Sequence, residues 1–197
     1  MAELSTERIA ATALALVDEH GLKGFSMRGV ARALDVTPMA LYHHVRSKED
    51  LAALVVNAAS AELPHFEFTQ DWREDMWQMA SAARQIMLAH PRVVELKRAY
   101  RVWSSEVLEG TEYWMKLWLQ SGLDQDEAVK AAAVSSLAIL GLVEDESLRD
   151  DDLTGGQELD PGKPNAKMLL EFRMDREAIF ELAVRAFIDG LHQRLMK

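Results

Sequence analysis

Three features of the sequence predict an all-α chain in which a small three-helix unit is followed by a larger helical body. Apolar residues recur at helical spacing, and strand-like alternation is absent. Breaks fall at wide intervals, at Pro64, Pro91, Gly122 and the acidic, Gly/Pro-containing stretch 150–164. Three helix-start signals crowd into 26–51, which reads SMRGVARALDVTPMALYHHVRSKEDL.

Ser26 is a good N-cap, so a helix can run from Met27 to about Leu34, burying Val30, Ala31 and Leu34 on one face. Asp35 stands where the chain must turn sharply, and aspartate is among the few non-glycine residues that tolerate the left-handed region. Val36 can plug the corner. Thr37 and Pro38 start a second helix, because the threonine hydroxyl accepts an orphan N–H and proline at the first position has none to lose. Along it Leu41 and Val45 face inward, while Met39, Ala40, His43 and His44 fall on an opposite, acid-free face. Ser47, with Asp50 three residues on, opens a third helix with Lys48 at its first position. The helix macrodipole opposes a cation there, so Lys48 is expected to serve a phosphate rather than the helix. Two short helices about a sharp turn are the signature of a helix-turn-helix DNA reader. Metal binding by His43 and His44 is not expected: helical neighbours diverge, and no third ligand is near.

On these residues the segment resembles the N-terminal domain of the tetracycline-repressor (TetR) family of transcriptional regulators. The resemblance rests on Glu19-His20-Gly21, Gly24-Phe25-Ser26-Met27-Arg28, Val30-Ala31, Leu34, Val36, Leu41-Tyr42, His44-Val45, Lys48 and Leu51. Relatives commonly carry glycine where Asp35 stands. The expected DNA contacts are Ser26, Arg28, Thr37, Pro38, Met39, Ala40, Tyr42, His43, His44 and Lys48, with Arg28 a candidate reader of a guanine edge. The expected division is a helix-turn-helix DNA-binding domain at 1–46 and a ligand-binding and dimerisation domain at 47–197.

A helix from 47 to about 63 connects the two. The next starts at Asp71, whose Glu74 completes a capping-box-like pair, and ends before Pro91. Shorter helices are predicted over about 93–102 and 106–121. Asp124 with Glu127 opens a long helix whose interior (Ala128, Ala131, Ala132, Ala133, Ser135, Ser136, Ala138, Gly141) is crowded with small side chains, which allow close helix approach. The last helix starts near Asp175 and lines up Ile179, Leu182, Ala183, Ala186, Phe187, Gly190 and Leu191. Both stripes could pack inside the monomer. Shared between two subunits they make a four-helix interface, and a homodimer is expected because one helix-turn-helix unit contacts too few phosphates to hold a palindromic operator tightly. The TetR resemblance implies the same arrangement.

All five tryptophans lie between the connector and the last two helices, together with His65, Phe66, Met76, Met79, Met87, Tyr100, Tyr113 and Met115. Such residues usually form plain core, yet ligand pockets are lined by the same chemistry, with a few polar groups such as His65, Arg84, Gln85 or Arg101 fixing orientation. The resemblance implies an effector pocket here. Its expected lining is His65, Phe66, Met76, Trp77, Met79, Trp103, Trp114, Met115 and Trp118. The segment from PHFEFTQDWRED to AARQIMLAHPRVV also resembles the family's C-terminal domain. Polar positions of a magnesium-tetracycline site are not matched, so an apolar or aromatic effector is expected.

At 197 residues, 49% hydrophobic and 27% charged, the chain can build one large or two small cores. No apolar run is long enough to span a bilayer and MAELSTERIA is no leader, so a cytoplasmic location is expected. The absence of cysteine removes disulfides, thiolate metal sites and cysteine nucleophiles. No cofactor or metal is expected. The net charge of −10 is unevenly spread: residues 1–60 hold 6 Lys and Arg against 7 Asp and Glu, leaving 16 against 25 beyond. An acidic body repels phosphate, so the nearly neutral head is the DNA-facing part and non-specific binding should be weak.

An enzyme is the rival from another class. No Gly-x-Ser-x-Gly elbow, phosphate-cradling glycine loop or His-Glu-x-x-His pair occurs. Glu62 and His65 have di-iron spacing, but Pro64 interrupts their helix and a second copy is missing. A protein-interaction adaptor on the same helices stays open. The expected function is a ligand-responsive DNA-binding transcriptional regulator, a repressor released from its operator by a small apolar or aromatic effector. The effector would spoil the spacing of two recognition helices held about 34 to 36 Å apart, one turn of B-DNA.

Overall fold

The computed structural model describes residues 4–62, 68–148, 162–171 and 175–196, and among these the protein is helical without a strand. Helix α1 (Thr6–His20) is capped by Ser5, which accepts from the Arg8 N–H at 3.3 Å, and buries Ile9, Ala13 and Val17. It ends at Gly21, whose φ of 62° glycine reaches without a Cβ clash.

The next three helices, α2 (Met27–Ala33), α3 (Pro38–Tyr42) and α4 (Lys48–Ser60), start where the sequence predicts. Ser26, Thr37 and Ser47 accept from the N–H groups of Gly29, Ala40 and Asp50 at 3.0, 3.2 and 3.0 Å. Asp35 turns the chain at φ 55°, and the Val36 N–H closes back on the Ala31 carbonyl at 3.0 Å. Val30, Ala31, Leu34, Leu41 and Val45 are all buried, as their spacing requires.

Helix α4 stops at Ser60, short of the expected 63, and it is more than a connector. Leu51, Ala52, Val55, Val56 and Ala59 recur at helical spacing and are buried in one hydrophobic cluster with Val17, Phe25, Val30 and Leu41. The core of the head therefore continues into α4.

The body contains α5 (Trp72–Ala89), α6 (Pro91–Ala99), α7 (Ser105–Gln120), α8 (Gln125–Leu148), α9 (Pro164–Glu171) and α10 (Arg176–Leu195). Asp71, Ser104 and Asp175 cap α5, α7 and α10, and Asp124 Oδ1 accepts from the Glu127 N–H at 2.9 Å where α8 opens. Pro164 starts α9 at the end of the stretch read as a break, a helix the sequence reading did not anticipate. A second cluster joins Met76 and Ala80 of α5, Trp114 and Trp118 of α7, Ala131 and Val143 of α8, and Phe180, Val184 and Ile188 of α10. Helix α6 belongs elsewhere: its Val93 and Leu96 are buried in the first cluster, against α1 and α4. A helix from the body thus closes the underside of the head. Among the described residues no helix is long and apolar enough to cross a membrane.

Candidate functional site

The outer surface of the head is built around α3. Met39 is 68% exposed, with Tyr42, His43 and His44 exposed beside it, while Leu41 and Val45 anchor the helix from below. Arg28, Thr37 and Pro38 are exposed, and Ser26 and Ala40 half-buried. Neither α2 nor α3 carries an acid in its first turn, whereas α1, α4 and α5 each do. The cap bonds use the hydroxyl oxygens of Ser26 and Thr37 as acceptors, so each O–H remains a donor.

Lys48 is half-buried, and its ammonium lies 5.3 Å from the ring centroids of both Phe25 and Tyr100, so it spans head and body. His90 ties the same joint: Nδ1 is 2.8 Å from Asp18 Oδ2, and Nε2 is 3.1 Å from Glu62 Oε2. Burial pushes the imidazole pKa down, but the hydrogen bonds and charges of Glu62 and Asp18 outweigh it and hold the pKa above the ordinary value.

A cavity of about 660 Å³ lies between the two clusters, a size and character suited to a small organic molecule. Val56, Ala59 and Ser60 of α4, Ile86 and Met87 of α5, and Val93, Val94 and Lys97 of α6 form one side; Glu106, Gly110, Thr111, Trp114 and Met115 of α7 and Val129, Ala132, Ala133, Ser136 and Ile139 of α8 form another. Val56, Ala59 and Val93 belong to the head's core as well. Trp114 and Trp118 donate their indole N–H groups to Ser135 Oγ at 3.0 and 3.2 Å, and that hydroxyl donates to the Ala131 carbonyl at 2.6 Å. Trp114 therefore offers the cavity a ring face with its donor already engaged. The Glu106 carboxyl is held below the usual range chiefly by its own backbone N–H, and accepts from Ser105 Oγ at 2.9 Å.

Three of the expected lining residues reach this cavity: Met79, Trp114 and Met115. Met76 and Trp118 do not; both are fully buried in the second cluster, on the inward edge of α5 and α7. Trp77 packs instead on Phe180, ring centroids 6.0 Å apart, with the Arg185 guanidinium over it. Trp103, in the turn between α6 and α7, is 68% exposed. His65 and Phe66 lie outside the described residues. Of the polar candidates, Arg84 is spent on a paired contact with Glu146 at 2.6 and 2.8 Å, and Gln85 and Arg101 are exposed away from the lining. Sequence reasoning missed Lys97, Glu106 and Thr111, whose signal, isolated polar residues on otherwise apolar helix faces, resembles that of any solvated position.

On the far side of the body, α8 and α10 present Leu137 and Leu182, each 70% exposed, above a groove of about 410 Å³ lined by Ala138, Gly141, Ala183 and Phe187. The stripe expected along α10 faces largely outward here, with Leu182, Ala186 and Gly190 exposed, while Phe180, Val184 and Ile188 supply the inward face. On α8, Ala128, Ala131, Ala132 and Ser135 turn inward, Ala133 and Ser136 are exposed on the cavity side, and Gly141 is exposed at the groove.

A helix-turn-helix head set on a helical body, with an apolar cavity where the two meet, is the architecture of a ligand-responsive DNA-binding regulator. Residues 9–55 match the model of bacterial regulatory proteins of the tetR family, and 63–195 match the tetracyclin repressor-like C-terminal domain. The chain belongs to the tetR family of bacterial regulatory proteins. It is 26% identical to the tetracycline repressor protein class A from transposon 1721 of Escherichia coli, over 98% of this chain and 93% of the repressor. It is 28% identical to an HTH-type transcriptional regulator of Saccharopolyspora erythraea over 77% of its own length but only 65% of that protein's. The fold superimposes on the Streptomyces coelicolor TetR family protein ActR, solved in complex with actinorhodin, with a TM-score of 0.79, 28% identity, and 99% and 98% of the two chains covered.

Proposed function

We propose that the protein is a cytoplasmic, non-enzymatic transcriptional repressor that holds a palindromic operator as a homodimer and releases it when a small apolar or aromatic effector fills the cavity. The observation that carries this reading is the sharing of Val56, Ala59 and Val93 between cavity wall and head core. A ligand that displaces α4 or α6 cannot do so without disturbing the packing that orients α2 and α3, because close-packed interiors transmit strain. Coupling of this kind is typically about 1 to 3 kcal/mol.

In this reading Met39, Ala40, Tyr42, His43 and His44 face the major groove, and Arg28, Thr37, Pro38 and Ser26 meet its edges and the phosphates. Lys48, which braces head and body, meets a phosphate at the start of α4. We divide the chain functionally into 1–46, which reads DNA, and 47–197, which binds ligand and dimerises, with α4 serving both. The exposed Leu137 and Leu182 and the small residues beside them suit a partner's equivalent helices. An adaptor would give the acid-free surface of α2 and α3 no role.

The test is a gel shift on DNA from the protein's own promoter region, combined with a thermal-shift screen of apolar and aromatic compounds. A saturable, sequence-specific complex dissolved by compounds that also raise the melting temperature is expected. No specific complex with any upstream fragment would overturn the reading.

A further inference from the structure

We propose that the effector is an amphipathic anion, a flat apolar body bearing one acidic group, and that Lys97 is the residue that binds that group. This rests on the effector reading above and adds the ligand's charge.

Three ionisable side chains line the cavity: His90, Lys97 and Glu106. Both ring nitrogens of His90 are committed, one to Asp18 and the other to Glu62. The carboxylate of Glu106 is turned back on the start of its own helix, held by its backbone N–H and by Ser105. Lys97 makes no ion pair with any described residue, although the chain beyond residue 60 holds 25 acids against 16 basic residues. Lys97 is exposed where it lines the cavity, and the protein packed around its stem holds its pKa below the ordinary lysine value. Among the described residues it is the one Lys or Arg in the lining, so an acidic group brought by the ligand finds its uncommitted counter-charge there. The apolar majority of the wall sets the rest of the molecule: Ile86, Val94, Trp114 and Met115 offer flat and adaptable surface with few hydrogen-bonding demands.

The position of Lys97 also fits a switch. It stands on α6 one turn after Val93, which is buried in the head's core, and three residues before Tyr100, which packs on Phe25 and Lys48. An acidic group drawn to Lys97 therefore acts on the helix that supports the head, whereas a neutral ligand fills the same space without that hold.

Two fluorescent probes of the same ring skeleton test the charge assignment on the full chain: 1-anilinonaphthalene-8-sulfonate and the neutral N-phenyl-1-naphthylamine. Wild type should bind the sulfonate at least about tenfold more tightly. Lys97→Met should erase that preference and keep binding of the neutral probe, and Lys97→Arg should retain the preference. Gly110→Phe locates the probes, since a Cβ at Gly110 meets nothing within 4 Å and the ring can grow into the cavity. It should weaken both. Equal affinities in wild type, or a preference that survives Lys97→Met, overturns the anionic effector while leaving an effector cavity in place. Saturable binding of neither probe, or binding that ignores Gly110→Phe, removes the effector reading and this proposal together.

Discussion

The rings of Phe25 and Tyr100 meet edge-on, their centroids 5.2 Å apart at 69°, and Lys48 Nζ lies 5.3 Å from each. Phe25 leads into α2, Lys48 opens α4 and Tyr100 caps α6. Three elements that are distant in sequence thus share one small contact directly between the reading head and the cavity's wall. Aromatic pairs of this geometry add about 0.5 to 1.5 kcal/mol beyond their buried area, comparable to a whole allosteric coupling.

Tyr100→Ala should therefore weaken the link between cavity and operator more than it weakens either binding event. Effector affinity and operator affinity, each measured alone, should change modestly, while the factor by which one ligand weakens the other falls toward one. An unchanged factor would place the transmission elsewhere.

His90 makes the joint pH-sensitive, with a definite sign. Its folded-state pKa is raised, so the stability it contributes is complete below the ordinary imidazole range and fades as pH rises through the raised value. The groups that set this are Asp18 on α1 and Glu62 just past α4, with Arg92 on α6 bonded to the Asp18 carbonyl at 2.6 Å. The melting temperature should drop on going from mildly acidic to mildly alkaline buffer, and His90→Gln should flatten that drop. A wild-type profile no steeper than the variant's would refute the assignment.

Met39 tests the DNA-facing surface. Met39→Glu places a carboxylate at the most exposed apolar position of α3 and aims it at phosphates and base edges. Operator binding should fall below detection in a gel shift, with the melting temperature nearly unchanged because the side chain packs on little. Full-strength binding would sink the recognition helix.

Leu137 tests the dimer. At 70% exposure it contributes little to the monomer, so Leu137→Glu should leave the subunit folded and yet bury a charge without a partner wherever two copies meet. Sedimentation should show monomers that no longer hold a palindrome. Wild-type protein already monomeric at micromolar concentration would remove the dimer altogether.

Much of the head was legible because local rules and tertiary packing agree there. Ser26, Thr37 and Ser47 cap as their chemistry predicts, Asp35 takes the left-handed turn, and Leu41 and Val45 face in. The cavity was legible only in outline. Met76 and Met79 lie three residues apart on α5, and Trp114 and Trp118 four apart on α7, so each pair shares a helix face; helical period cannot say which member meets a neighbouring helix and which a void. Here Met76 and Trp118 went to core, and Met79 and Trp114 to the cavity. The seating of α6 under the head was equally hidden, since it rests on pairs such as Asp18 and His90, 72 residues apart, that carry no local signal.

Ser135 has one hydroxyl, and the two indoles and the Ala131 carbonyl occupy its proton and both lone pairs. One of those indoles borders the cavity and the other does not. A guest that tilts Trp114 away leaves Trp118 as the sole donor to that oxygen, which alters the ground-state polarity around a ring the guest never touches. Two of the five tryptophans would then change colour together, and an emission titration would overcount the residues in contact with the guest.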